Sequence, residues 1–294
     1  MKVAIYGQYY QNSTEPIIKD IFIFLIKNNV EIIIESNFLK ILFEKKIIDT
    51  KYPTFESYKE LNSSFDMLIS IGGDGTILRA TTLVRDSGVP ILGINAGRLG
   101  FLATVQKENI PEFMQFIIDK KYSISKRTLL SLTCSPDNEA IQDINFALNE
   151  ISVSRKDTTS MITIETYLNN EYLNSYWADG LIIATPTGST GYSMSCGGPI
   201  LTPNARSVVI TPIAPHNLNA RPLVVTDETE IRLKVSGRDD HYLVSLDSRI
   251  ISVKNETILF IKKSPFEINM VEIPNETFLK TLRTKLFWGE DRRN

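Results

Sequence analysis

The spacing of apolar positions changes character partway along the chain. In the first third, short apolar runs alternate with windows of helical periodicity. Residues 2–6 read as a strand ending at Gly7, 15–28 as a helix, 30–35 as a β-branched strand and 38–46 as a short helix. Strands at 67–71 and 90–94 flank a helix at 76–86, and 111–120 forms another helix with Pro111 in its first turn. The polar stretch 56–64 reads as a loop. Alternating strands and helices predict an α/β domain with a parallel sheet. In such sheets ligands sit beyond the carboxyl ends of the strands.

From about Tyr122 the rhythm becomes β-rich. Runs at 129–134, 146–153, 161–168, 181–184, 208–213, 231–235, 242–246, 250–253 and 257–261 predict a β-sandwich-like second domain. Helical periodicity returns at 276–286. The expected organisation is an α/β domain over 1–125, a β-rich domain over 126–267, and a C-terminal segment, 268–294, whose helix packs back on the first domain.

Composition narrows the possibilities. The 294 residues are 43% hydrophobic and 22% charged, with net charge −2. That is globular composition without a basic footprint for nucleic acid. The apolar stretch 21–26 lies between Asp20 and Lys27 and is too short to span a bilayer. The start of the chain has no signal-peptide layout. Cys134 and Cys196 read as reduced thiols of a cytoplasmic protein.

Candidate chemistry begins at Gly72-Gly73-Asp74-Gly75-Thr76. A strand, a glycine turn and a helix start present free N–H groups to anions. Capping alone would use Asp74 but does not need three glycines; close approach of a ligand does. A carboxylate beside phosphates is repelled unless a divalent cation intervenes or it takes a proton from the substrate. Both serve phosphoryl transfer. No G-x-x-x-x-G-K-[ST] motif is present, so any kinase here is not of the P-loop kind.

A second stretch, 180–199, runs from a strand into a loop dense in Gly, Ser and Thr, with Asp179 just before it. It reads either as a surface turn or as an uncharged set of donors for ribose, phosphate and amide groups. Asn149-Glu150 falls in the middle of the expected strand 146–153, where a charge usually marks a solvated face. In 212–224, prolines stiffen a strand end before His216, read as a shaping residue. In 95–102, Phe101 either stacks on a base or fills core. Zinc-ligand spacing, a G-x-S-x-G elbow and a G-x-G-x-x-G fingerprint after the first strand are all missing.

Together, and in this order, Gly72 to Thr76, Asn149-Glu150, Asp179 to Pro199 and Pro212 to Val224 resemble the NAD kinase family. The resemblance implies ATP-dependent phosphorylation of the adenosine-ribose 2′-hydroxyl of NAD to give NADP, with a divalent metal ion, Mg2+. It implies Asp74 as proton acceptor and the backbone of Gly72, Gly73, Gly75 and Thr76 as phosphate holder, with Arg79 one turn on. Asn149 and Glu150 would contact the adenosine and ribose parts of NAD. Thr187, Thr190, Gly191, Tyr192, Ser193, Met194 and Ser195 would line the dinucleotide pocket. Asp179 and Ala214 would lie near the nicotinamide end, and Phe101 and Leu102 would close a wall. The partners implied are NAD and ATP, in a homodimer or homotetramer. Two places depart from the pattern of many members. Trp177 replaces a basic residue, and Asp247-Ser248-Arg249 replaces Asp-Gly-Gln. Neither touches the proposed base.

Overall fold

The computed structural model describes residues 1–9, 14–97, 99–105, 110–156 and 160–288. Arg98 of the 95–102 stretch lies outside them. The chain divides into two compact units: Met1–Lys126 with Ile268–Asn294, and Arg127–Glu267.

The first unit opens with β1 (Lys2–Gly7), α1 (Thr14–Lys27), β2 (Glu31–Glu35), α2 (Ser36–Glu44), β3 (Thr54–Phe55), β4 (Met67–Gly72), α3 (Asp74–Val84), β5 (Ile91–Asn95), α4 (Ile110–Ile118) and β6 (Ser123–Arg127). Residues 56–64, expected as plain loop, contain a 3-10 turn at Tyr58–Glu60, because Glu60 Oε1 accepts from the Glu56 and Ser57 N–H groups. Strand pairing β3–β2–β1–β4–β5 is parallel throughout. β4 and β5 are buried at every position, which is why they read as continuous apolar runs. The chain leaves β1 towards β2 on one side and returns to β4 on the other, so the sheet switches direction between β1 and β4. That is where parallel sheets bind ligands.

α3 buries Thr76, Ile77, Ala80, Thr81 and Val84, a stripe with helical spacing. It packs so closely on β5 that a Cβ at Gly93 would lie 2.4 Å from Ile77 Cδ1. The helix start, and with it the glycine turn, is thereby fixed against the sheet.

The second unit contains β7 (Leu130–Ser135), α5 (Glu139–Gln142), β8 (Phe146–Ala147), β9 (Glu150–Arg155), β10 (Ile162–Leu168), β11 (Glu171–Ala178), β12 (Gly180–Ala184), α6 (Tyr192–Ser195), β13 (Ser207–Ile213), β14 (Leu223–Thr226), β15 (Ile231–Ser236), β16 (His241–Leu246), β17 (Arg249–Lys254) and β18 (Ile258–Lys263). Two six-stranded antiparallel sheets form, in the orders β11-β10-β15-β18-β7-β8 and β14-β13-β12-β9-β16-β17. Alternate residues of both sheets share one core: Ile164, Leu233 and Leu259 from the first, Val153, Ile183 and Val244 from the second. β12 is buried on its other face too, because Ile182 and Ala184 pack with Cys196 and Leu201 of the following loop. Cys134 and Cys196 are free thiols.

The expected strand 146–153 is two strands. Pairing breaks at Leu148-Asn149 and resumes at Glu150. The apolar residues on either side hide the interruption, whose cause lies about a hundred residues away, at Asp247.

The chain then returns to the first unit as β19 (Ile268–Glu272), parallel to β5, and α7 (Phe278–Leu286). α7 meets that unit through Phe278, whose ring centre lies 6.4 Å from that of Phe101.

Candidate active site

In the first unit, the turn between β4 and α3 lies at the switch point. Its three glycines do different work. A Cβ on Gly72 would lie 2.2 Å from Thr76 Oγ1, so that glycine is required by packing. A Cβ on Gly73 or Gly75 would meet nothing within 4 Å. Open space lies over these two, and Gly73, as N-cap, brings no side chain to the first-turn N–H groups. Gln8, at the carboxyl end of β1, donates its N–H to the Ile71 carbonyl at 3.0 Å and accepts from Thr76 Oγ1 at 3.1 Å. The two central strand ends are tied together there.

Asp74 is the first residue of α3. Its Oδ2 accepts from the Phe101 N–H at 2.8 Å, and its Oδ1 accepts from the N–H groups of Leu102 and Ala103, both at 3.0 Å. The carboxylate is aimed by the 101–103 backbone, and three of its roughly four lone-pair positions are engaged. Gly100 makes this fit possible: a Cβ there would sit 1.8 Å from Asp74 Oδ1. Phe101 rests on α7, with Lys285 Nζ 4.7 Å from its ring centre, and Leu102 is buried.

A cleft of about 860 Å³ opens beside this turn, past the carboxyl ends of β1 and β2. Gly7, Gln8, Tyr9, Asn37, Lys45 and Arg79 are among its lining residues. Arg79 is exposed on α3 and makes no hydrogen bond or ion pair through its guanidinium among the described residues. Gln8 was not singled out from sequence. Its signal is position alone, at the end of the strand that adjoins β4.

In the second unit, the loop after β12 folds over Asn149 and Glu150. Thr185 fixes it, donating its N–H to the Asn149 carbonyl at 2.9 Å and its hydroxyl to the Leu148 carbonyl at 2.6 Å. The approach is so close that a Cβ on Gly188 would lie 2.0 Å from the Asn149 carbonyl oxygen. Gly191 leaves room over the two side chains; a Cβ there would lie 3.3 Å from Glu150 Oε2.

The hydroxyls of this loop divide into two groups. Ser193 is fully buried and shares a hydrogen bond with Thr211 at 2.8 Å. Ser189 donates to the Pro186 carbonyl, and Thr190 to the Thr187 carbonyl. These build the loop. Thr187 Oγ1, Asn149 Oδ1 and Glu150 Oε2 are instead buried without a hydrogen-bond partner. Tyr192 is 47% exposed, Ser195 is exposed and Met194 is partly buried. Burial first, and then the Asp247 charge, pushes the Glu150 carboxyl up to about 8.

Asp179 lies at the other end of β12 and holds an ion pair with Arg155 Nη2 at 3.1 Å. Ala214, exposed and at φ 43, follows the partner strand β13. His216 rests on Trp177, with ring centres 4.4 Å apart, and donates its N–H to the Trp177 carbonyl. In register, Gly180 faces Ser154 while Ala184 faces Glu150. A ligand touching both Glu150 and Asp179 must therefore run along β12, a span of roughly 15 Å. Tyr192 feels the charges of both carboxylates.

The ATP-NAD kinase N-terminal domain model matches residues 3–122, and the ATP-NAD kinase C-terminal domain model matches residues 148–273. NAD kinases of Flavobacterium psychrophilum and Flavobacterium johnsoniae are 73% and 72% identical over 294 residues, covering 100% of both chains. Among solved structures, a complex of yeast NADH kinase with NADH superposes with a TM-score of 0.86 at 22% identity. It covers 99% of this chain and 88% of that one, a likeness of fold. An Archaeoglobus fulgidus NAD kinase in complex with ATP gives a TM-score of 0.75 at 29% identity, over 98% of this chain and 99% of that one. The chain belongs to the ATP-NAD kinase family.

Proposed function

We propose that this chain, an enzyme that phosphorylates NAD, takes the phosphoryl group from ATP and places it on the 2′-hydroxyl of the adenosine ribose, giving NADP. The observation that carries the reading is Asp74: a carboxylate aimed by three backbone N–H groups, at a turn whose Gly73 and Gly75 leave space for a ligand.

In this reading the backbone of Gly72, Gly73, Gly75 and Thr76 holds donor phosphates, and Arg79 adds a guanidinium suited to phosphate oxygens. The nucleoside of ATP occupies the neighbouring cleft. Asp74 accepts the proton of the attacking hydroxyl. A carboxylate is a weak base in water, so its value comes from position as much as basicity. Its remaining lone pair is the one available to the substrate. Asn149 and Glu150 bind the adenosine ribose and base. Below about pH 8 the Glu150 carboxyl holds a proton and donates it in a hydrogen bond. Thr187, Tyr192, Met194 and Ser195 line the path along β12, with Asp179 and Ala214 towards the nicotinamide. Thr190, Gly191 and Ser193 shape that loop, and Phe101 and Leu102 close the wall beside Asp74.

The described residues contain no group of three or more His, Cys, Asp or Glu side chains suited to a metal ion. Magnesium therefore fits as the counterion of the ATP phosphates, held by those phosphates with one or two carboxylates at most from the described residues. A bound magnesium ion neutralises charge on the transferred phosphoryl group. No described helix is long and apolar enough to cross a membrane. Cytoplasmic placement rests on the two free thiols. A homodimer or homotetramer rests on the open sheet edges at β11 and β14, which can pair between copies.

Incubating the full chain with ATP, magnesium and NAD, and detecting the product with an NADP-dependent dehydrogenase, tests the reading. NADP accumulating in proportion to ADP is the expected result. ADP released without NADP, under any divalent metal, contradicts it.

A further inference from the structure

The break between β8 and β9 is held by groups that the proposed chemistry does not use. Leu148 and Asn149 leave the strand ladder, which resumes at Glu150, and their polar backbone groups must be satisfied elsewhere. Asp247 lies at φ 53 in the turn between β16 and β17, with its side chain only 3% exposed. Its Oδ2 accepts from the Leu148 N–H at 2.9 Å, and its Oδ1 from the N–H groups of Asn149 at 2.8 Å and Glu150 at 3.1 Å. The carbonyls of Leu148 and Asn149 go to Thr185. The strap is gripped by N–H on one side and by carbonyl on the other. Neither grip uses the Asn149 or Glu150 side chain, and both leave a buried oxygen without a partner.

Arg249 completes the clamp. Its guanidinium lies 3.9 Å from Asp247 Oδ2 and donates to the Ile144 carbonyl at 2.8 Å and to the Phe146 carbonyl. One cation thus ties the strap's entry to the carboxylate that holds its centre. This is the Asp247-Ser248-Arg249 stretch where the sequence departs from Asp-Gly-Gln.

We propose that Asp247, braced by Arg249, is the positioning residue of the NAD subsite: it sets the angle at which Asn149 and Glu150 face the dinucleotide, and so governs NAD affinity but not ATP affinity. The inference rests on the reading that Asn149 and Glu150 contact NAD. Asp247 also acts through its charge. Its carboxylate adds to burial in raising the Glu150 carboxyl, while Arg249, 3.9 Å from Asp247 Oδ2, offsets that charge, and the Tyr192 phenol is the other titratable group that feels the Glu150 charge.

The test is Asp247→Asn in the full-length enzyme, with KM for NAD and for ATP measured from pH 6 to 9. The amide keeps one acceptor oxygen but turns an NH2 towards a backbone N–H and removes the charge. At pH 7 the KM for NAD should rise about tenfold or more while the KM for ATP stays within about twofold. The midpoint of the NAD profile should move to lower pH, because a like charge has gone. An unchanged KM for NAD, or an equal rise in both constants with an unmoved midpoint, overturns the proposal; the second is what a purely structural role gives. If Asp247→Asn does not fold, Asp247→Glu carries the test. It keeps the charge and displaces the carboxylate, so KM for NAD should rise with the midpoint in place. Asn149→Ala separates the two levels. If it leaves KM for NAD unchanged, the site reading fails; if it raises KM and the Asp247 variants do not, only the positioning role fails.

Discussion

At the scale of single residues, the most informative side chain is Glu150. It has a charge that the alternation of its strand would have placed in solvent. The structure buries its Oε2 atom and pushes its carboxyl to about 8, against an ordinary 4.5. The consequence for stability has a definite sign. Between these values the folded chain holds a proton that the unfolded chain has released. The stabilisation is complete below about 4.5, declines as pH rises, and is gone above about 8. The wild-type protein should therefore lose thermal stability from pH 5 to pH 8 more steeply than Glu150→Gln, which holds no titrating proton. Melting curves of the two proteins across that range check this. Parallel curves would mean that Glu150 titrates at its ordinary value.

At the scale of elements, the close fit between the start of α3 and the 100–103 segment aims Asp74. A methyl group at residue 100 would occupy the space of the carboxylate, 1.8 Å from Oδ1. Gly100→Ala should lower kcat by about a hundredfold through misplacement of Asp74, with a smaller effect on NAD affinity. Steady-state kinetics beside a calorimetric NAD titration would show it, and an unchanged kcat would mean that the aim of Asp74 does not matter. This scale also shows what could be read in advance. The buried strands β4, β5 and β12 and the helices α1, α3 and α4 were legible, because burial imposes apolar runs or a 3.6-residue stripe. The strands β3, β6, β11, β14 and β19 were not. The first is two residues long, β6 is mostly exposed, and β11 buries only Tyr176 and Ala178, so composition carries little trace of them. The glycine turn and the Thr185–Tyr192 loop were visible as motifs. Which hydroxyls face a ligand was not, because Ser189 and Ser193 find partners, Leu201 and Thr211, that only the fold brings near. Asp247 was visible only as part of a departing stretch, and its hold on the strap was not, for the same reason: it lies 98 residues from the Asn149 N–H it accepts from.

At the scale of the whole molecule, each compact unit carries one kind of chemistry. A parallel sheet with a switch point supplies a helix start, a carboxylate and an open glycine turn. An antiparallel sandwich supplies a long uncharged track with a buried carboxyl at one end and an ion pair at the other. In the proposed reaction Asp74 activates the hydroxyl while other residues bind NAD. Asp74→Asn in the full-length enzyme separates the two most directly, since the amide is nearly isosteric and keeps an oxygen for the Leu102 and Ala103 N–H groups. Turnover with ATP and NAD should fall by about 10²–10⁴-fold while calorimetry still shows NAD binding close to wild type. Turnover near the wild-type rate, or loss of NAD binding in step with activity, would contradict it.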